Sequence, residues 1–328
     1  MIQTIARLAT LALLAPFALA DGPLKVFVLA GQSNMVGAGA VEAQDDRNGG
    51  KGSLEHLVED KATKKRFGHL VDKKGEWVER DDVWISFTGA RDVHGKLAPG
   101  YGARETAIGP ELGFGHVIGE HLDEDVLLVK VAWGGKSLAV DFRPPSAGGE
   151  VGPNYTELFT QVRGVLANLD ERFPELRKTV RSAKADGHDS GYEIVGFGWH
   201  QGWNDRINQE FNDAYEENMA CFIRDARREL DVKDLPFVIA ETGMNGPDET
   251  HPRALSLMKA QKAVTERKEF KGTVAFVATQ DLWRPKEESP SGQGYHWNSN
   301  AETYYLIGEG MGTAMVELLK GTKTRRRK

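Results

Sequence analysis

Residues 25–39 read KVFVLAGQSNMVGAG, a run of apolar residues that passes directly into small and polar ones. Continuous apolar runs of this kind are typical of strands that are buried on both faces of a parallel sheet. Gly31 ends the run, and Ser33 follows two residues later. The stretch predicts a buried strand that leads either into an ordinary turn or to a serine held at the sheet edge for chemistry.

Four further runs along the chain have the same character. They are DVLLVKVAWGG, YEIVGFGWHQG, LPFVIAETG and TVAFVATQD, and the segments between them show helical spacing of apolar residues. One such helical pattern comprises Phe211, Tyr215, Met219, Phe222 and Ile223. Alternating strands and helices predict an α/β fold, a three-layer α/β/α sandwich around a five-stranded parallel sheet.

The segment 42–108 does not follow this alternation. It is charged and glycine-rich, and VDKKGEWVERDDVWISF within it predicts a β-hairpin around Lys74 and Gly75. We therefore expect one domain over residues 21–320 that carries 42–108 as an insertion. The basic residues 321–328 are predicted to form a solvated tail.

Composition and the amino-terminal residues limit the class of protein. The chain has 328 residues, 40% of them hydrophobic, and a formal net charge of −6, which suits a soluble globular domain and argues against a nucleic-acid partner. Residues 1–20 combine Arg7, an apolar run and Ala18-Leu19-Ala20, the pattern of a secretory signal peptide. Cleavage after Ala20 predicts a secreted or periplasmic protein, and no later stretch has the length and apolarity of a membrane span.

Polar residues follow each of the five predicted strands at its carboxyl end. The clusters are Ser33, residues 134–137 (GGKS), residues 200–205 (HQGWND), Glu241-Thr242 and Gln280-Asp281. The carboxyl ends of the strands in an open parallel sheet border one binding crevice. Segments that are far apart in sequence are therefore predicted to meet at one site.

A nucleophilic serine needs a base to take its proton and donors that hold the developing oxyanion. The candidate donors are the backbone amides of Ser33 and Gly135 and the side-chain amides of Gln201 or Asn204. His296, in a glycine-rich loop between the last strand and the last helix, is the predicted base, and His200 is the alternative. No histidine pair or cysteine cluster has metal-ligand spacing, so neither a metal nor another cofactor is expected.

Four blocks in order resemble a known family. GQSNM at 31–35, GPELGFG at 109–115, WGGKS at 133–137 and WHQGWND at 199–205 resemble the SGNH hydrolases, and more narrowly the sialate O-acetylesterase-like group that includes carbohydrate esterase family six. The resemblance implies a flavodoxin-like fold and a metal-free serine esterase that removes acetyl groups from carbohydrates. By the same resemblance, Ser33 is the nucleophile and His296 the base, while Ser33, Gly135 and the QGWND segment, Asn204 above all, form the oxyanion hole.

Two positions depart from the pattern of that family. Trp203 stands where a glutamate is usual, and the orienting aspartate two or three residues before the histidine is replaced by Gln293 and Gly294. Asp281, at the end of the fifth strand, is the predicted substitute acid. Glu288 and a Ser–His dyad oriented by a backbone carbonyl remain as alternatives, because the role of the third group is to hold the histidine tautomer.

Aromatic and charged residues near the clusters suggest how a sugar binds. Trp133 and Trp199 end buried strands and are expected to pack in the core. The other candidates lie in loops or at the rim, and the predicted substrate-binding residues are Gln32, Trp203, Asp141, Arg143 and Trp297, with Trp283 as a further sugar platform. Two other functions stay open: a glycan-binding protein without activity, and an esterase for lipid or peptidoglycan acetyl groups.

Overall fold

The computed structural model describes residues 22–326, with side chains up to residue 321. The predicted signal peptide, residues 1–20, lies outside the described residues. The last helix continues into the predicted basic tail, as far as Arg326. None of the helices within the described range is long and apolar enough to cross a lipid bilayer.

Nine strands and eleven α-helices are assigned in the described residues. The strands are β1 Leu24–Gly31, β2 Gly39–Ala40, β3 Val83–Gly89, β4 Val93–Lys96, β5 Ala107–Ile108, β6 Val126–Ala132, β7 Tyr192–His200, β8 Phe237–Ala240 and β9 Val274–Val277. The helices are α1 Ser33–Val36, α2 Leu54–Glu59, α3 Lys64–Phe67, α4 Glu111–Gly119, α5 Pro153–Ala167, α6 Leu169–Arg172, α7 Arg177–Ala185, α8 Trp203–Arg206, α9 Gln209–Glu229, α10 Pro252–Glu266 and α11 Ala301–Arg326.

The five predicted strands are all present and lie side by side. Their order in the sheet is β6-β1-β7-β8-β9, and every neighbouring pair is parallel. The predicted sheet of five strands is nevertheless too small, because β3 and β4 extend it to seven in the order β4-β3-β6-β1-β7-β8-β9. Strand β4 is antiparallel to β3, so the complete sheet is mixed.

Segment 42–108 is therefore not a simple insertion. Its strand β3 is almost entirely buried and pairs with β6 over seven residues, from Val83–Val126 to Gly89–Ala132. The predicted hairpin at Lys74 and Gly75 is reduced to a tight turn with a single bridge between Val71 and Trp77. VWISF joins the main sheet instead, because an apolar strand gains more by burial between two helical layers than in an exposed hairpin.

Helices cover both faces of the sheet, as predicted. Successive residues of β1 point to opposite faces, so Val26 and Val28 pack in a core with α5, α9 and α10, and Phe27 and Leu29 pack in a second core with α4 and α11. The apolar residues predicted at helical spacing between 211 and 223 lie on α9.

Register brings the ends of three central strands to one level. Gly31 pairs with Ala132 of β6 on one side and with His200 of β7 on the other. At Gly31 φ is +155°, and a Cβ atom there would lie 2.2 Å from the His200 carbonyl oxygen. Only glycine fits this close approach, after which the chain turns into α1 and exposes the edge where Ser33 lies.

Candidate active site

Ser33 begins the four-residue helix α1 directly beyond the end of β1 and is partly exposed. Its backbone N–H donates to no acceptor in the described part of the chain, and the same holds for the N–H of Gly135, which follows β6. Gly135 is exposed and has φ of +67°, a left-handed conformation that favours glycine. Two backbone donors are thus available at the ends of adjacent strands.

Gln32 fixes the orientation of Asn204. The Gln32 Oε1 atom accepts hydrogen bonds from the backbone N–H groups of Gly202 (3.1 Å) and Asn204 (3.2 Å), so its Nε2 atom must be the donor on the other side. That Nε2 donates to Asn204 Oδ1 at 3.1 Å. The Asn204 amide is held by its oxygen, which leaves its Nδ2 group as a free donor. Gln32 itself is 1% exposed and its amide is hydrogen-bonded within the fold, so its role as a substrate-binding residue stays a prediction.

A buried carboxylate ties the loop after β6 to the loop after β7. Asp205 accepts hydrogen bonds from the backbone N–H groups of Leu138 and Ala139, each at 2.8 Å, and from Gln201 Nε2 at 2.6 Å. Burial raises the pKa of Asp205 to about 6. Gln201 Nε2 also donates to the Lys136 carbonyl at 2.9 Å, so it is not a free oxyanion donor, contrary to one of our predictions.

The His296 loop is anchored to the residue next to Ser33. Asn34 Nδ2 donates to the Tyr295 carbonyl at 3.1 Å, and Asn34 Oδ1 accepts from the Tyr304 hydroxyl at 2.8 Å. The same hydroxyl lies 3.4 Å from the His296 carbonyl oxygen. Asn34, the residue after Ser33, is thereby hydrogen-bonded to Tyr295, the residue before His296. This contact joins the segment that follows β1 to the loop that precedes α11.

The imidazole of His296 is half-buried and its ring nitrogens make no hydrogen bond to any described residue, Ser33 included. Burial lowers the pKa of His296 below its ordinary value, and no neighbouring carboxylate opposes that shift. Without a substrate, hydrogen bonds between catalytic groups are often long or unformed. At neutral pH this imidazole is neutral, and its loop is hydrogen-bonded to the residue that follows Ser33.

Neither predicted acid reaches this ring. The side chains of Asp281 and Glu288 are exposed, and neither carboxylate makes a hydrogen bond to His296. The buried Glu241 carboxylate instead accepts the backbone N–H groups of Thr279 (2.8 Å) and Gln280 (3.3 Å) and fixes the turn that follows β9. The prediction that Asp281 orients His296 is therefore not met by the geometry.

The alternative base, His200, is excluded by burial. Its side chain is 0% exposed, its Nδ1 atom lies 3.4 Å from the Ala240 carbonyl, and burial lowers its pKa to about 4. Trp199 is likewise 0% exposed and packs in the core, as predicted, whereas Trp133 is only partly buried and packs beside that core.

Three of the predicted sugar-binding residues make contacts within the fold. Trp297 is 0% exposed and packs 6.1 Å from Trp283 between ring centroids, so it has no face for a sugar. Asp141 accepts from Ser137 N–H (2.8 Å) and from Lys136 Nζ (3.1 Å), and Arg143 Nε donates to the Ala139 carbonyl (2.6 Å). These contacts brace the loop after β6; the predicted contact of Asp141 and Arg143 with a sugar stays a prediction.

A buried ion pair supports the helix that carries Ser33. Lys130 Nζ, from β6, donates to the Val36 carbonyl at the end of α1 (2.8 Å) and to Glu111 Oε2 (2.5 Å), and both side chains are 0% exposed. Desolvation raises the pKa of Glu111 and lowers that of Lys130, while each charge favours the ionised form of its partner. Glu111 belongs to the GPELGFG block. Its ion pair with Lys130 gives this block a structural role, because Lys130 also holds the end of α1.

We expect Glu111→Gln to lower the free energy of unfolding by about 3–5 kcal/mol, because it leaves the Lys130 ammonium buried without its counter-ion. Urea titration followed by tryptophan fluorescence measures this change. Glu229→Gln is the matched control, since Glu229 pairs with Arg163 at 2.9 Å on the surface and its loss should cost less than about 1 kcal/mol. Equal effects of the two substitutions would contradict the prediction.

A model of the family described as carbohydrate esterase, sialic acid-specific acetylesterase matches residues 23–317. The chain belongs to this family. Comparison with curated proteins finds no significant sequence match.

Several solved structures are similar to this chain in fold. A protein from Arabidopsis thaliana has 16% identity and a TM-score of 0.54, covering 89% of this chain and 98% of the other. NanS has 13% identity and a TM-score of 0.53, with 94% and 99% covered. A carbohydrate acetylesterase from Xanthomonas citri has 14% identity and a TM-score of 0.50, with 90% and 56% covered.

Several residues of this esterase-family site could not be assigned from the sequence. Asn34 and Asp205 stand within the quoted blocks GQSNM and WHQGWND, so the blocks marked them without giving their roles. Tyr295 is 45% exposed, and its ring centroid lies 4.5 Å from that of His296. In the sequence, only its position next to His296 indicated that it belongs to the site.

Proposed function

We propose that this protein is a secreted serine esterase that removes O-acetyl groups from carbohydrates through an acyl-enzyme. The observation that supports the proposal most is the hydrogen bond from Asn34 to the Tyr295 carbonyl, which joins the neighbours of Ser33 and His296 at the carboxyl edge of the sheet. Membership of a carbohydrate esterase family supports the substrate class.

In the proposed reaction, Ser33 Oγ attacks the acetyl carbonyl carbon while His296 takes the hydroxyl proton. The oxyanion that forms accepts hydrogen bonds from the N–H groups of Ser33 and Gly135 and from Asn204 Nδ2. His296 then returns the proton to the sugar oxygen, which leaves as an alcohol. Water, deprotonated by the same imidazole, then attacks the acetyl-Ser33 ester. Acetate leaves as the bond to Ser33 Oγ breaks, and the imidazolium returns the proton to Ser33 Oγ.

His296 works in this proposal without a charged orienting group. Its loop is fixed through its backbone: the Ser291 N–H donates to the Asn298 carbonyl (2.8 Å), Asn298 Nδ2 donates to the Arg284 carbonyl (3.0 Å), and Asn34 holds Tyr295. A rigid loop can position an imidazole without a carboxylate, although the charge of a carboxylate would stabilise the imidazolium formed during the reaction.

Asp281→Asn is therefore expected to change kcat/KM by less than about threefold, the usual range for an exposed substitution. The midpoint of the pH profile should also stay where it is, because Asp281 does not act on His296. Glu288→Gln, a second exposed carboxylate of the same region, is the matched control. A large loss of kcat confined to Asp281→Asn would restore the Ser–His–Asp triad.

Acetate release from a panel of acetylated sugars tests the proposed function as a whole. The panel should include acetylated sialic acids, acetylated xylan and a neutral monosaccharide acetate, with Ser33→Ala as the negative control. Binding of the sugars without any release of acetate would favour the glycan-binding alternative. Activity on lipid acetyl esters alone would show that the carbohydrate assignment is wrong.

A further inference from the structure

Arg206 has no hydrogen-bonded counter-ion in the described part of the chain. Its guanidinium carbon lies 3.6 Å from the centroid of the Trp203 ring, so the two planes cover one another. The guanidinium group makes no hydrogen bond or ion pair with any described residue, and its Nε atom is fully buried without a partner. An unpaired buried donor costs free energy, and the terminal N–H groups of the same guanidinium, which are not buried, stay open to an incoming acceptor.

The charges around Arg206 are not arranged to satisfy it. Glu249 is the carboxylate whose charge acts on Arg206, but its oxygens accept from Asn245 Nδ2 (2.8 Å) and from the His251 N–H (2.7 Å), and neither accepts from the guanidinium. Arg253 adds a second positive charge, which together with burial lowers the pKa of Arg206. A chain with a net charge of −6 thus keeps a local excess of positive charge at this point.

This charge lies beside the proposed catalytic residues. The Trp203 ring centroid is 6.1 Å from that of Tyr295, and the Tyr295 centroid is 4.5 Å from that of His296. Asn204, the proposed oxyanion donor, stands two positions before Arg206 on the same short helix. An anionic group on one part of a sugar can therefore meet Arg206 while an ester on another part meets Ser33.

We propose that Arg206 binds a carboxylate of the substrate and determines the preference of the enzyme for acetylated sugar acids. The inference rests on the proposed esterase function and assigns a specificity to its site. A guanidinium offers paired N–H donors that match the two oxygens of a carboxylate. Stacking on Trp203 holds this group in place before the substrate arrives, so little side-chain entropy is lost on binding. Arg143, which the sequence predicted to bind the substrate, already donates from Nε to the Ala139 carbonyl.

The test compares one substrate in charged and neutral form: 9-O-acetyl-N-acetylneuraminic acid and its methyl ester. For the wild-type protein we expect kcat/KM to favour the free acid by roughly tenfold or more, the value of a hydrogen-bonded charge pair. Arg206→Gln should abolish this preference, and Arg206→Lys should restore part of it, since an ammonium keeps the charge but not the fork. Arg181→Gln, which removes an exposed arginine of α7, should leave the preference unchanged.

Two kinetic outcomes would overturn the inference. One is a wild-type protein that treats acid and methyl ester alike. The other is an Arg206→Gln variant whose kcat/KM falls by the same factor for the free acid and the methyl ester. If Arg206 served only to support the Trp203 ring, the loss would not depend on the charge of the substrate.

A binding measurement separates this inference from the esterase function. The dissociation constant of N-acetylneuraminic acid is measured by calorimetry on Ser33→Ala and on Ser33→Ala combined with Arg206→Gln. We expect the second protein to bind at least about tenfold more weakly. Arg206-dependent binding without acetate release from any substrate would overturn the esterase function only, whereas hydrolysis with Arg206-independent binding would overturn the role of Arg206 only.

Discussion

Replacement of Ser33 by alanine is expected to lower kcat for acetate release by at least about a thousandfold and to leave KM nearly unchanged. The substitution removes only the hydroxyl group, whose oxygen forms the acyl-enzyme in the proposed mechanism. All three oxyanion donors, the backbone N–H of residue 33 included, remain in the variant and would still stabilise direct attack by water, so a small residual rate above the uncatalysed reaction is expected.

The fold of the Ser33→Ala variant should be intact, since the Ser33 side chain makes no hydrogen bond within the described part of the chain. Urea titration of wild type and variant should therefore coincide within about 0.5 kcal/mol. Mass spectrometry under rapid quench adds a positive test, because wild-type protein should carry an acetyl group on Ser33 during turnover. A variant of unchanged stability that keeps most of its activity would disprove the serine mechanism.

The sequence predicted the central sheet because its five strands are continuously apolar, and such runs have few alternatives to burial. It missed β3, although VWISF is equally apolar, because the surrounding charged residues suggested a local hairpin. Pairing of β3 with β6 joins residues about 40 positions apart, and local sequence carries little information about such contacts. Burial of Lys130 could not be predicted from the local sequence for the same reason, since it depends on Glu111, which is distant in sequence.

For the site, the sequence predicted which loops meet but not the role of each side chain in them. Polar clusters after strands predict a common edge, which is a consequence of parallel topology. Which amide faces a substrate depends on hydrogen bonds between distant segments, such as that of Gln32 with Asn204. Trp297 was assigned to a loop and hence to the surface, yet at φ of +50° its ring turns into the core.

His296→Gln is expected to reduce kcat at least about a thousandfold, because glutamine cannot accept the serine proton. In wild type, activity should rise with pH to a plateau, since only the neutral imidazole acts as a base. The midpoint should lie below ~6.5, the ordinary histidine value, because burial lowers the pKa of His296 and no carboxylate raises it. A midpoint above that value would reveal an acid acting on the ring.

Asp205, with a pKa of about 6, titrates in the same range and must be distinguished from His296. Protonation of Asp205 would weaken its hold on Leu138 and Ala139, and activity would again fall on acidification. Temperature separates the two groups: the pKa of an imidazole falls on warming, whereas that of a carboxyl group hardly moves, so a midpoint that falls assigns the titration to His296. The double variant Ser33→Ala with His296→Gln completes the argument, because two residues that act as one unit should together lose no more than either alone. A further loss in the double variant would mean that His296 serves another nucleophile.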